Sequence, residues 1–103
     1  MATLELTSLH CVRKQDVSGN DEPRIKIDGA VVWNGVMNKG ETRNLRPASR
    51  DFDSSASVKL EEMNGTTPKQ IGTIATIRET GGNPQPVVFK TSGAHYELYY
   101  EVS

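Results

Sequence analysis

Two short segments of this chain carry residue types that can hold a hard cation. The first runs Asp16-Val17-Ser18-Gly19-Asn20-Asp21-Glu22. It crowds three carboxylates, Asp16, Asp21 and Glu22, around a glycine, with the Ser18 hydroxyl and the Asn20 amide beside them. Oxygen ligands gathered by a tight turn are what Ca²⁺ requires. The second runs Glu61-Glu62-Met63-Asn64-Gly65. Asp, Asn, Gly and Ser are also the ordinary residues of β-turns, so such a segment alone reads first as a solvated turn. The metal reading needs both segments at one place in the fold.

The elements that must position them are strands. Leu4 and Leu6 alternate with polar residues, and Leu9 and Cys11 continue on the opposite parity, which predicts a bulge between them. Pro23 opens the next strand, where its missing N–H does least harm. Ile25 and Ile27 face one way there, and Arg24 and Lys26 the other. Asp28-Gly29 predicts a two-residue hairpin into Ala30-Val31-Val32-Trp33. Glu41 to Leu45 reads as a weaker strand, and Arg46 to Asp51 as a loop. Ala56, Val58 and Leu60 alternate, Glu61 to Pro68 reads as a polar loop, and strand structure resumes at Ile71–Ile77. Val87 to Phe89 and the alternating Tyr96, Leu98, Tyr100 and Val102 complete the set. Eight short strands at this spacing predict one all-β domain over residues 1–103, an antiparallel Greek-key sandwich.

Composition narrows the function. The 103 residues are 35% hydrophobic and 24% charged, which fits a thin sandwich with wide polar faces. A net charge of −1 gives no overall pull towards nucleic acid or anionic lipid. No apolar run reaches bilayer length, and the N-terminus lacks a basic-then-apolar signal pattern, so a cytoplasmic address is the default and leaderless secretion the alternative. The single Cys11 forms no internal disulfide and reads as a small buried residue. His10 and His95 have no sequence neighbour suited to orient them as bases, and His10 and Cys11, being adjacent, point to opposite faces of a strand. No phosphate loop or zinc spacing is present. The expectation is therefore a protein that is not an enzyme and takes neither nucleic acid nor a small-molecule substrate. Trp33, Tyr96, Tyr99 and Tyr100 read as packing residues, and Arg24 with Lys26, joined at most by Arg13 and Lys14, as a solvated strand face.

The first acidic segment resembles the first metal loop of the C2 domain, Asp-x-x-Gly-x-Ser-Asp-Pro-Tyr-Val-x-Val. Asp16 falls on the first aspartate, Gly19 on the glycine, Glu22 on the second aspartate and Pro23 on the proline, while Arg24 replaces the aromatic residue. Glu62 and Asn64 fall on the later Asp-x-Asp pair, ahead of the apolar-Gly step at Ile71-Gly72. Pro68-Lys69 replaces the acidic pair that usually precedes that step. The resemblance implies a short C2-like Ca²⁺-binding sandwich whose two loops converge at one end. Asp16, Asp21, Glu22, Glu62 and Asn64 are then the metal ligands. So few carboxylates imply weak binding, on the order of 0.1–1 mM. Alternatively Lys69 bridges the carboxylates and replaces the cation.

The use implied is a non-enzymatic binding module docking to a membrane surface or a protein partner. Val17 and Met63 are the apolar tip residues available to a membrane, with Lys69 the nearby cation. The competing expectation is a metal-free structural or assembly subunit acting through its sheet edges and the Tyr99 face. The oligomeric state is open at this point.

Overall fold

A computed structural model of the chain describes residues 1–13, 21–80 and 85–103. Every regular element among them is a β-strand. In order these are β1 (Ala2–Arg13), β2 (Pro23–Ile27), β3 (Ala30–Asn34), β4 (Thr42–Asn44), β5 (Ser49–Phe52), β6 (Ser55–Asn64), β7 (Thr67–Gln70), β8 (Ala75–Arg78), β9 (Val87–Lys90) and β10 (His95–Val102).

They form two antiparallel sheets. The first has the order β4-β1-β10-β9, with β5 also on β1; the second has the order β3-β2-β6-β7, with β8 also on β6. Where the spacing predicts eight strands, the described residues form ten. The reason lies at two sheet edges. β5 and β4 pair with successive parts of β1, and β8 and β7 with successive parts of β6. Each pair of short segments fills one edge position, so each sheet has four positions across. Interrupted edges of this kind are poor templates for unwanted strand pairing.

Alternation sets which side chains enter the core between the sheets. Leu4 and Leu6 point inward from β1, the register slips between Leu6 and Ser8, and Leu9 and Cys11 then point inward on the opposite parity. The predicted bulge is there, and without it Leu9 would face water. Ile25, Ile27, Ala56, Val58, Leu60, Phe89, Tyr96 and Leu98 complete the inner layer. The Asp28-Gly29 hairpin also forms as expected. Both residues have positive φ, 50° and 84°, which the primed two-residue turn needs. Asp28 is further held across the sheet, its N–H donating to the Ser57 carbonyl and its Oδ1 accepting from the Ser57 N–H.

Two stretches expected as loops are strands. Residues 49–52 pair with β1, and Glu61 to Asn64 continue β6 to a turn at Gly65-Thr66, so β7 begins at Thr67. Polarity misled the reading in both places: Ser49 to Asp51 are exposed on an edge strand, and Glu61 and Glu62 are polar residues buried within a strand. The step after β7 needs its glycine. Gly72 has φ +70°, and a Cβ there would lie 2.8 Å from the Lys90 backbone nitrogen. The chain therefore crosses directly against β9, with Ile71 buried beside it. Among the described residues no helix is long and apolar enough to cross a membrane.

Candidate functional site: the acidic end of the sandwich

Glu22, at the end of the first acidic segment, and the second acidic segment meet at one end of the second sheet. Pro23 stands opposite Glu62 in the β2–β6 ladder, so the residue before Pro23 meets the tip of β6. The Glu22 N–H donates to Glu62 Oε1 at 2.6 Å, and the Glu22 carbonyl accepts from the Met63 N–H at 3.0 Å. Asn64 lies next along β6, exposed and opposite Thr67. Asp16 lies outside the described residues. Lys69 stands directly across from Glu62 in the β6–β7 ladder and is exposed.

Asp21 is fully buried, which a carboxylate tolerates only with partners. Its backbone exchanges two 2.9 Å hydrogen bonds with Met37, and its Oδ2 accepts from the Tyr96 hydroxyl. Tyr96 projects inward from β10 of the first sheet, so this bond ties one sheet to the entry of the other. Burial pushes the Tyr96 hydroxyl pKa up, and the neighbouring Asp21 carboxylate and Cys11 thiol push it further. The phenol stays a donor throughout the neutral range.

Glu61 and Glu62 share one exposure, 3%, and point to opposite sides of the sheet. Glu62 is on the core side at the tip. Glu61 is on the outer face under three cations. Arg24 donates to its Oε1 from Nε at 3.0 Å and Nη2 at 2.6 Å, Lys59 Nζ lies 3.2 Å from Oε2, and Lys26 Nζ lies 3.6 Å from Oε1. Burial pushes the Glu61 carboxyl pKa up, but the hydrogen bonds from Arg24 and Lys59 and the charges of Arg24 and Lys26 outweigh it, leaving the pKa below the ordinary value. Arg24 and Lys26 are thus joined by Lys59 across the ladder, not by Arg13, which lies on β1 in the other sheet. Lys14 lies outside the described residues.

These engagements decide how far the donor set suits Ca²⁺. Among the described residues no group of three or more His, Cys, Asp or Glu side chains is placed to hold a metal ion. Asp21 faces Tyr96 in the interior, Glu62 holds a backbone N–H, and Glu61 faces the opposite side of the sheet. A Ca²⁺ cup needs six to eight oxygens turned towards one point. Asp21, Glu61 and Glu62 do not fit that requirement; they act as acceptors that hold the fold.

Beside them is a pocket of about 360 Å³ lined by Glu22, Pro23, Arg24, Asn34, Gly35, Val36, Met63 and Gly65. Its lining depends on Gly35. A Cβ there would lie 2.7 Å from the Trp33 ring, so the indole closes over the bare backbone. The Gly35 N–H also donates to the Pro23 carbonyl at 3.1 Å, fixing the wall to β2. Pro23, Val36 and Met63 supply apolar surface, and Glu22, Arg24 and Asn34 supply polar groups, the mixture usual in recognition pockets.

Reading the sequence missed several of these residues. Asn34-Gly35 and Val36 read as a turn and an apolar step, with nothing to mark them as a pocket wall. Tyr96 was legible as an inward residue, and a buried phenol needs an acceptor, but the sequence does not say which acid supplies it. His10 Nδ1 lies 2.7 Å from Thr42 Oγ1 on the outer face of the first sheet, apart from the pocket lining. Comparison with protein-family models, with curated proteins and with solved structures finds no match for this chain.

Proposed function

We propose that this chain is a non-enzymatic, C2-like binding module that engages a protein partner through the acidic end of its sandwich, without a metal ion. The observation that carries the reading is the pocket between β2, β3 and β6, whose lining mixes Pro23, Val36 and Met63 with Glu22, Arg24 and Asn34. A partner side chain seated there would be desolvated against apolar surface and oriented by polar groups at its edge, the arrangement of an interface anchor. The C2-like assignment is supported by four strand positions in each sheet and by the loop resemblance. A protein partner suits this end better than a membrane. Val36, 44% exposed, is the one exposed large apolar residue at the pocket, with Pro23 buried and Met63 half-buried, less than stable membrane docking requires.

The test is an amide-shift titration of labelled protein against a panel of short peptides with apolar anchors. Binders should shift the amides of Glu22, Arg24, Gly35, Val36 and Met63. Val36→Asp should weaken them by about tenfold, on the order of 1.4 kcal/mol. Shifts confined to the sheet faces, or binding indifferent to Val36→Asp, would reject this end as the recognition site.

A further inference from the structure

The two outer faces of the sandwich carry opposite charge, a feature independent of the acidic end. On the second sheet, β2 presents Arg24 and Lys26, β6 presents Lys59, and β8 presents Arg78, exposed and opposite Ser55. Glu61 is the acid among them, almost wholly covered by its three cations. On the first sheet, Glu5, Glu97 and Glu101 point outward from β1 and β10, and Glu5 stands directly opposite Glu101. Arg46 bridges that like-charged pair, its Nε 3.4 Å from Glu5 and its Nη2 2.8 Å from Glu101. Tyr99, 39% exposed, and Val88, 48% exposed, lie on the same face. One sheet thus gathers several cations around Glu61, and the other sets Glu5, Asp51, Glu97 and Glu101 around Arg46, with Lys90 at its β9 edge opposite His95.

We infer that copies of this chain associate face to face, the cationic outer face of one against the anionic outer face of the next. The occupant follows from charge complementarity: the surface of opposite sign that the structure itself presents is the other face of the same protein. The bound Arg24, Lys26 and Lys59 retain N–H donors beyond those given to Glu61, because three cations share one carboxylate. Tyr99 offers its ring to an arriving Lys or Arg, a cation–π contact at the centre of the anionic face. The molecule measures 42 × 25 × 23 Å. A face spanning the long axis offers roughly 1,000 Å², close to the ~800 Å² per partner of a standard interface. Because the two contacting surfaces differ, the contact is heterologous and leaves a free face at each end, so it propagates into chains unless capped.

Sedimentation equilibrium over a concentration series tests this, at about 10 mM and about 1 M salt, where the screening length falls from about 30 to about 3 Å. The wild-type protein should exceed the 11.3 kDa monomer mass as concentration rises in low salt, and return to it in high salt. Two neutralised variants sharpen the test: Lys26→Gln with Lys59→Gln, and Glu97→Gln with Glu101→Gln. Arg24 is kept in both so that Glu61 retains its main partner, and circular dichroism checks that each variant is folded. Each variant alone should remain monomeric in low salt. Their equimolar mixture should form a one-to-one pair that grows no further, because only one matched pair of faces remains. A wild-type protein that stays monomeric in low salt overturns the inference. So does assembly that survives high salt, or assembly that persists in either folded variant alone.

Discussion

Glu61 and Glu62 are adjacent in sequence and equally buried, yet they live in different chemistry. Glu61 is held on the outer face by Arg24, Lys59 and Lys26, whereas Glu62 is held at the inner tip by the N–H of Glu22. The period of a β-strand makes this division, sending neighbours to opposite faces. One acid depends on its charge. The other depends on its oxygen, because an amide oxygen accepts from an N–H as a carboxylate oxygen does. A stretch that reads as a single acidic loop is therefore two separate devices, one organising a surface and one fastening the chain entry.

The sharpest break of this contrast is Glu61→Ala. It strands three cations, two of them within 3.2 Å of the lost carboxylate. Removing one side of a buried ion pair costs 3–5 kcal/mol, and the partial exposure of the cations places this variant near about 3. The melting temperature should fall by more than about 10 °C, measured by calorimetry. The same group sets an acid limb. Its carboxyl pKa is lowered in the folded chain, so its contribution is complete above the ordinary value of 4.5 and is lost as pH falls through the lowered value. Glu61→Gln should flatten stability against pH in that range, and an acid limb unchanged by this variant would remove Glu61 from the account.

Next in size is Tyr96→Phe, which takes the hydroxyl donor from buried Asp21 and should cost about 2 kcal/mol in denaturant unfolding. Tyr96 and Tyr100 both have raised pKa values in the folded state. Their sign is opposite to that of Glu61: the stability linked to them is complete below the ordinary value of 10.0 and falls as pH rises above it. Tyr96→Phe should soften that alkaline decline. Glu62→Gln should cost less than about 1 kcal/mol, since its amide oxygen still accepts from Glu22. A loss as large as that of Glu61→Ala would show that Glu62 also works through charge. The smallest effect belongs to Arg46→Ala. This arginine is half exposed between half-buried Glu5 and exposed Glu101, and its loss should stay within about 0.5 kcal/mol, visible as a small change in denaturant midpoint.

Much of this fold was legible in alternation. The inward sets of β1, β2, β6 and β10, the bulge before Leu9 and the Asp28-Gly29 hairpin each follow from a local rule that a handful of residues satisfies. The missed strands, Ser49–Phe52 and the continuation of β6 to Asn64, are polar segments that pair with Ala2–Glu5 and with Pro23 and Arg24, partners far away in sequence. Composition carries no record of such partners. The meeting of Glu22 with Glu62 was expected from two acidic segments and a proline. The chemistry of that meeting was not, because it turns on which way Glu61 and Glu62 point once the strand continues through them. Tyr96, Met37 and Lys59 entered the account for the same reason: each matters through a cross-strand or cross-sheet neighbour.

The central claim is that hydrogen bonds, not a cation, fasten the acidic end. Thermal unfolding with millimolar Ca²⁺ and with a chelator tests it most directly. The account predicts melting temperatures that agree to within about 1 °C. Ligand at about 100 times its dissociation constant would add about 2.7 kcal/mol. A rise of several degrees in Ca²⁺ would therefore mean that these carboxylates hold a metal, and would contradict the account.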